Sequence, residues 1–477
     1  MPAPESGCRS WHFSHADKGW PASAMQIARL CAPVMLADIK GQTRGRLMYP
    51  QIEQVGSDRL PESTEVAIIG GGIIGVSTAY WLARRGIAVT VLEKGLIGAE
   101  QSSRNWGWCR SMGRDLAEIP LAMASLHLWD SWQTQLGKDL GFRRSGVLYA
   151  CETQQQLQQQ ADWLQAASVH GVQARLLAGR ELLRVMPEGA AAGWSGALHT
   201  PSDGRAEPHR ASAVIARAAQ RLGARIVTGC AVRGLDIAAG RVTGLYSERG
   251  RLRCSSVVLA GGAWSTLFCA NLGLRLPQLK VVASVLRTAP MAGGPELAVG
   301  AGRYAFRKRA DGGYTIAQRN GNLAPITPDS FRYLGDFLPA LSRQFREVRL
   351  RLNGRFIEEL RQPRHWTMDS ESPFERCRVL DPKPSPAILA EAREALAAAF
   401  PFFRQIHVEQ SWAGVMDVTP DAIPVIGPVQ KLPGLFLSTG YSGHGFGIAP
   451  GAGHLLADLI DGSTPLVDPA PFAYDRL

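Results

Sequence analysis

The feature that most restricts the fold of this 477-residue chain is a run of six residues, Gly70-Gly71-Gly72-Ile73-Ile74-Gly75, set between two short apolar segments. Glu65–Ile69 (EVAII) precedes it, a helical pattern runs from it to Arg85, and a second apolar segment, Ala88–Leu92 (AVTVL), stops at Glu93. Strand, glycine turn, helix, strand and terminal acid, in that order, describe a βαβ unit that binds a dinucleotide. Gly70 makes the tight turn, Gly72 lets the backbone approach a pyrophosphate, and Gly75 permits close helix–strand packing. The unpaired N–H groups and positive dipole end of the helix then meet the phosphates. Glu93, 18 residues beyond Gly75, is placed to accept hydrogen bonds from ribose hydroxyls, and a carboxylate there disfavours the 2′-phosphate of NADP. NAD and FAD both satisfy these features.

Composition bounds the rest. With 45% hydrophobic residues the chain buries a large core, and since single cores stop growing near ~250–300 residues, two domains are expected. Only 19% of residues are charged and 51 are Gly, which suits an α/β protein with many turns and excludes disorder, collagen and coiled coil. The balance of 52 Lys+Arg against 41 Asp+Glu gives +11, but the basic residues are scattered, so no nucleic-acid partner is expected. That charge suits anionic ligands and permits peripheral contact with an anionic membrane face.

Eight cysteines without a CxxC indicate neither a metal site nor a disulfide framework, and reduced thiols fit the cytoplasm. Leu432–Ala457 lacks Asp, Glu, Lys and Arg, yet its seven Gly, two Pro and two His read as a ligand-wrapping loop with its flanks rather than a membrane span. Residues 1–60, with Pro2, Pro4, Pro21, Pro33 and Pro50, read as an irregular N-terminal extension.

Three further blocks point to a cofactor. Ser102 and Ser103 lie one loop beyond Glu93, where they offer hydroxyl donors to the same pyrophosphate. Val257–Ala260 reads as a buried strand ending in Gly261-Gly262-Ala263-Trp264, with Val232 upstream as a main-chain contact for adenine. In Gly440–Pro450, glycines at every second or third position let backbone N–H groups converge on the polar edge of a ring such as a reduced flavin.

Together these blocks resemble the FAD-dependent oxidoreductases of the D-amino acid oxidase superfamily from about Thr64 to Leu477, and within it most resemble the bacterial L-amino acid deaminases. Local likenesses include Glu93-Lys94-Gly95, Glu100-Gln101-Ser102, Cys230-Ala231-Val232-Arg233-Gly234, Trp264-Ser265 and Phe306-Arg307. The resemblance implies FAD as cofactor, with contacts at Gly70, Gly72, Ile73, Ile74, Gly75, Glu93, Lys94, Gln101, Ser102, Ser103, Val232, Gly261, Trp264, Gly443, His444, Gly445, Phe446, Gly447 and Ile448. It also implies oxidation of the C–N bond of an amino or imino acid by hydride transfer to flavin N5, giving an imine that hydrolyses to an oxo acid and ammonia or an amine. Electrons pass on to O₂ or a quinone. The alternative is an FAD-binding subunit of a multisubunit amino-acid or opine dehydrogenase that does not itself turn over.

Arg307 matches the arginine that pairs with the substrate carboxylate, Trp108 and Trp412 are candidate pocket walls, and His444 is a candidate polar neighbour of the flavin. Trp108, Val285 and Leu286 depart from the deaminases and imply a larger, more apolar wall. The cofactor motifs recur along the chain, so the expected architecture is α/β (α+β). A Rossmann-like FAD-binding domain (61–135, 200–277, 406–477) is interleaved with a β-rich substrate-binding domain (136–199, 278–405), and the protein is expected in the cytoplasm or peripheral to the inner membrane face.

Overall fold

The computed structural model describes residues 52–56, 59–136, 139–186, 193–344 and 348–477, with the side chains of 340–344 left aside. Nearly all of the expected N-terminal extension, including Cys8 and Cys31, lies outside the described residues.

A six-stranded sheet organises the cofactor side, in the order Val425–Pro428, Leu435–Thr439, Ser256–Leu259, Val66–Ile69, Val89–Leu92, Arg225–Val227. Only the edge strand Val425–Pro428 runs antiparallel. Val66–Ile69 sits between Val89–Leu92 and Ser256–Leu259 with Val66 opposite both Val89 and Ser256. Its neighbour Val89–Leu92 is buried at every position, because helices cover both faces of a parallel sheet and leave no polar alternation. The helix Ile73–Arg84 follows the glycine turn and packs between the helices Pro208–Arg221 and Gly445–Asp461. Gly70 turns the chain at φ +109°, and a Cβ there would lie 2.4 Å from the carbonyl oxygen of Ala260; one on Gly75 would lie 2.0 Å from that of Gly70. Both positions therefore require glycine for conformation and clearance.

Pro450 interrupts the hydrogen-bond ladder of Gly445–Asp461. The helix Ile119–Gln135 binds carbonyls around it: Trp129 Nε1 donates to Gly447 O at 2.8 Å and Ser125 Oγ to Ile448 O at 2.9 Å. Those bonds hold the first turn of the helix, directly after the glycine loop.

The second side is a ten-stranded mixed sheet. It takes Val147–Cys151, Arg175–Leu177 and Gly196–Thr200 from the first excursion, and Leu279–Thr288 with the strands between Ala298 and Arg351 from the second. Val408–Val418, expected on the cofactor side, instead pairs along its length with Leu279–Thr288, Trp412 facing Val285 across the pair. Conversely, residues 366–380 lie in a segment assigned by sequence to the substrate side, yet Phe374, Trp366, Cys377 and Leu380 pack into the core beneath the six-stranded sheet. Both departures arise because a strand joins the sheet whose open edge it meets and a loop follows its apolar residues, whichever domain its sequence neighbours belong to.

Candidate functional site

The strands Val66–Ile69, Val89–Leu92, Ser256–Leu259 and Leu435–Thr439 end at one edge of the parallel sheet, where crevices form outside the carboxyl ends. A cleft of about 1220 Å³, solvent mouth included, opens there. Among the residues expected to hold cofactor, Gly70, Gly72, Ile73, Ile74, Glu93, Lys94, Gln101, Ser102, Val232, Gly261, Trp264, Gly443, Gly445 and Phe446 line it. Gly75, Ser103, His444, Gly447 and Ile448 stand behind that wall; Gly447 lies against the backbone of Trp108 and Cys109.

The lining is held by specific bonds. Glu93 accepts from Gly71 N and Gly95 N, each at 2.7 Å, so its carboxylate pins the glycine turn. Burial nevertheless raises its pKa, against the pull of Lys94 and the two backbone donors. Ser102 Oγ accepts from Ile73 N at 2.9 Å, capping the helix end and leaving its hydroxyl proton to donate. Trp264 Nε1 donates to both carboxylate oxygens of Glu100 at 3.1 Å. Lys94 Nζ binds Glu100 at 2.6 Å and stands 4.5 Å from the centre of the Trp264 ring.

At the opposite wall, Asp417 Oδ2 accepts from Gly440 N at 2.7 Å and Thr439 Oγ1 at 3.1 Å, organising the turn that leads into Gly443–Phe446. Sequence reading passed over Asp417, because nothing in the spacing Met416-Asp417-Val418 marks which strand residue meets a turn 23 positions away.

These donors fit a flavin dinucleotide. The glycine turn and Ser102 suit its pyrophosphate and Glu93 its adenosine ribose, and the bare Cα of Gly72 on the cleft wall, where a Cβ would meet only Ser102 Oγ at 3.1 Å, leaves the phosphates room to approach the helix end. Among the described residues no cluster of His, Cys, Asp or Glu could hold a metal.

The residues expected to contact substrate lie beyond the cleft lining, where Trp108, Trp412 and Arg307 gather around Trp106. Trp412, 3% exposed, packs with Val285, Ala317 and Trp106, its Nε1 bonded to Arg104 O at 3.0 Å. Trp108 stacks edge-on to Trp106 at 5.4 Å and tilts against Tyr149 at 6.1 Å. Its Nε1 is buried with no partner.

Leu286 is not part of this wall. It points to the opposite face of its strand from Val285 and packs with Phe306 and Ile316 under the helix Pro386–Ala399, since successive strand residues alternate faces.

Arg307 has a partner within the chain. Its Nη1 and Nη2 meet Glu207 Oε1 and Oε2 at 2.9 and 3.0 Å, and its Nε donates to Trp106 O. Burial opposes ionisation of Glu207, but the charge and hydrogen bonds of Arg307, with the N–H of Ala310, hold its pKa below the ordinary value. The guanidinium expected to grip substrate is thus occupied by a carboxylate of the chain itself. Nothing in the spacing links residues 100 positions apart.

Arg319, unmarked in the sequence reading, stands in the turn that follows the strand Tyr314–Ala317. Its guanidinium lies 4.0 Å from the centre of the Tyr149 ring, and among the described residues it has no acidic partner.

His444 caps the helix Gly445–Asp461 on the far side of the loop, 3.5 Å from Glu118. Burial and then Arg114 lower its pKa to about 4, outweighing Glu118, so it is neutral at neutral pH.

Fold and cleft together define an FAD-binding oxidoreductase with a parallel cofactor sheet and a mixed sheet carrying an aromatic wall. Residues 65–459 match the family model of the FAD-dependent oxidoreductases (DAO), and the chain belongs to that family. An L-amino acid deaminase of Proteus myxofaciens, solved in complex with anthranilate, superposes with a TM-score of 0.85 at 31% identity, over 92% of this chain and 98% of that one. A glycine oxidase of Pseudomonas aeruginosa is 27% identical over 421 residues, 86% of this chain and 98% of the relative. A 4-methylaminobutanoate oxidase (formaldehyde-forming) of Paenarthrobacter nicotinovorans is 27% identical over 414 residues, and the chain spans only 45% of its length. Amine oxidation by FAD is the chemistry common to these relatives, and the protein is an FAD-dependent oxidoreductase of that kind.

Proposed function

We propose that the protein oxidises the C–N bond of an amino acid or related carboxylate-bearing amine, and that Arg319 receives the carboxylate. The observation that carries the carboxylate assignment is the guanidinium of Arg319, which lies beside Tyr149 with no acidic partner among the described residues, while Arg307 is paired with Glu207. An arginine and a carboxylate form two parallel charge-assisted hydrogen bonds, which fix orientation as well as position.

The aromatic cluster of Trp106, Trp108, Trp412 and Tyr149 keeps water from that pair, and Trp108 Nε1 adds a donor within the cluster. FAD, when bound, accepts the two electrons of the C–N oxidation. No acid–base residue is needed beyond an amine delivered neutral, and His444, neutral at physiological pH, adds no charge to repel it.

We place the protein in the cytoplasm with O₂ or a quinone as acceptor, and its +11 charge suits a peripheral position on an anionic membrane face. Among the described residues no helix is long and apolar enough to cross a membrane.

The test is anaerobic mixing of the holoenzyme with L- and D-amino acids, cyclic imino acids and N-methyl amino acids, following flavin absorbance. Bleaching by at least one class, abolished when its carboxylate is amidated, supports the reading. Absence of bleaching across the panel would leave an FAD-carrying subunit that does not turn over.

A further inference from the structure

We infer that residues 372–381 form a latch over the adenosine end of the FAD cleft and set how fast the cofactor leaves. The second excursion returns here to the cofactor side. Phe374, 5% exposed, reaches the cleft wall and packs edge-on against Trp264 at 5.8 Å, between the ring of Phe268 and that of Trp366. Glu93 marks this as the ribose end, since the acid closing the second strand of a dinucleotide fold meets the ribose.

Polar ties draw the segment down along the stretch that follows Phe374. Next to it, Arg233 grips Glu375 through Nε–Oε1 at 3.0 Å and Nη2–Oε2 at 2.8 Å. Downstream, Arg378 pairs with both carboxylate oxygens of Glu248, Nη2–Oε2 at 2.6 Å, and its backbone carbonyl accepts from Lys94 Nζ at 3.1 Å. Leu380 N donates to Glu100 at 2.9 Å, the same carboxylate that holds Trp264. A Cβ on Gly95 would lie 2.3 Å from Arg378 O, so the latch rests directly on the turn that follows Glu93.

Two cation–carboxylate pairs at the surface of the segment, with Arg378 39% and Arg233 19% exposed, make a closure that salt can weaken. A dinucleotide seated beneath Phe374 cannot withdraw its adenosine until these ties open.

The experiment is the rate of FAD release from holoenzyme, read as the rise of free FAD fluorescence after dilution. Arg378→Ala and Glu248→Ala are each expected to speed release about three- to tenfold, the range of a partly exposed ion pair. The exchanged pair Arg378→Glu with Glu248→Arg is expected to return much of the loss, and raised salt to speed release more in the unmodified protein than in either alanine variant, which keeps only the Arg233–Glu375 pair. Arg349→Ala, which breaks a pair with Glu391 elsewhere on the surface, is the control and should leave release unchanged. Release unchanged in both alanine variants would overturn the latch. So would an equal acceleration in Arg349→Ala, which would show general loosening of the fold.

Discussion

Glu207 and Arg307 form a bidentate ion pair in which each side chain is only 2% exposed, and a second guanidinium, that of Arg205, stands 3.5 Å from Glu207 Oε1. Removing one member of such a buried pair strands the other's charge, whereas removing both leaves less to compensate. Arg307→Ala and Glu207→Ala should each cost ~3–5 kcal/mol in urea unfolding, and the double variant clearly less than their sum. Additive losses would show that the two side chains are energetically independent.

Arg319→Ala is expected to raise KM for a carboxylate substrate by roughly 10- to 100-fold, the worth of about 1.5–3 kcal/mol for hydrogen bonds to a charged group, with a smaller change in kcat. Arg319→Lys should recover part of it, because a lysine supplies the charge without the paired geometry. An equal effect on the amidated substrate would point to a packing role instead.

Glu93→Gln keeps the shape of the side chain but turns one acceptor, bonded at 2.7 Å to a backbone N–H, into a donor facing that N–H. The glycine turn should loosen by ~1–3 kcal/mol, and the purified protein should carry less FAD, measured by the ratio of flavin to protein absorbance. Gly70→Ala should be worse, since its Cβ would meet Ala260 O at 2.4 Å on a left-handed backbone. Full FAD content in Gly70→Ala would contradict the described turn.

His209 and His444 both have pKa values lowered to about 4, chiefly by burial. A histidine whose folded pKa lies below its unfolded value gives the unfolded state the greater proton uptake between the two. Stability should therefore be at its plateau above about pH 6.5 and decline as pH falls from there towards 4. Unfolding free energies measured across that window should show the slope, and His209→Gln should flatten it. A flat profile in the parent protein would contradict imidazoles held neutral at these two half-buried positions.

The chain by itself determined the glycine turn, the strands either side of it, the acid at Glu93 and the glycine loop before Gly445. Each rests on short-range physics: backbone conformations open to glycine, the alternation or continuity of apolar residues, and the fixed rise of a strand. Cofactor residues such as Ser102 and Trp264, tens to hundreds of positions apart, lie in one cleft because strand ends of a parallel sheet converge.

What only the tertiary structure decided is which side chains face one another across sheets. Phe306-Arg307 was readable as a motif, but the carboxylate of Glu207 that occupies Arg307 comes from the turn before another helix. Leu286 and Val285 are neighbours in sequence and lie on opposite faces of their strand. Arg319 carries no motif, and the turn after the strand Tyr314–Ala317 sets it against the ring of Tyr149, on a strand far away in sequence. Ser372–Asp381 belongs by sequence to the substrate side and by packing to the cofactor side. Register and long-range burial set these pairings, and neither leaves a local trace in the order of residues.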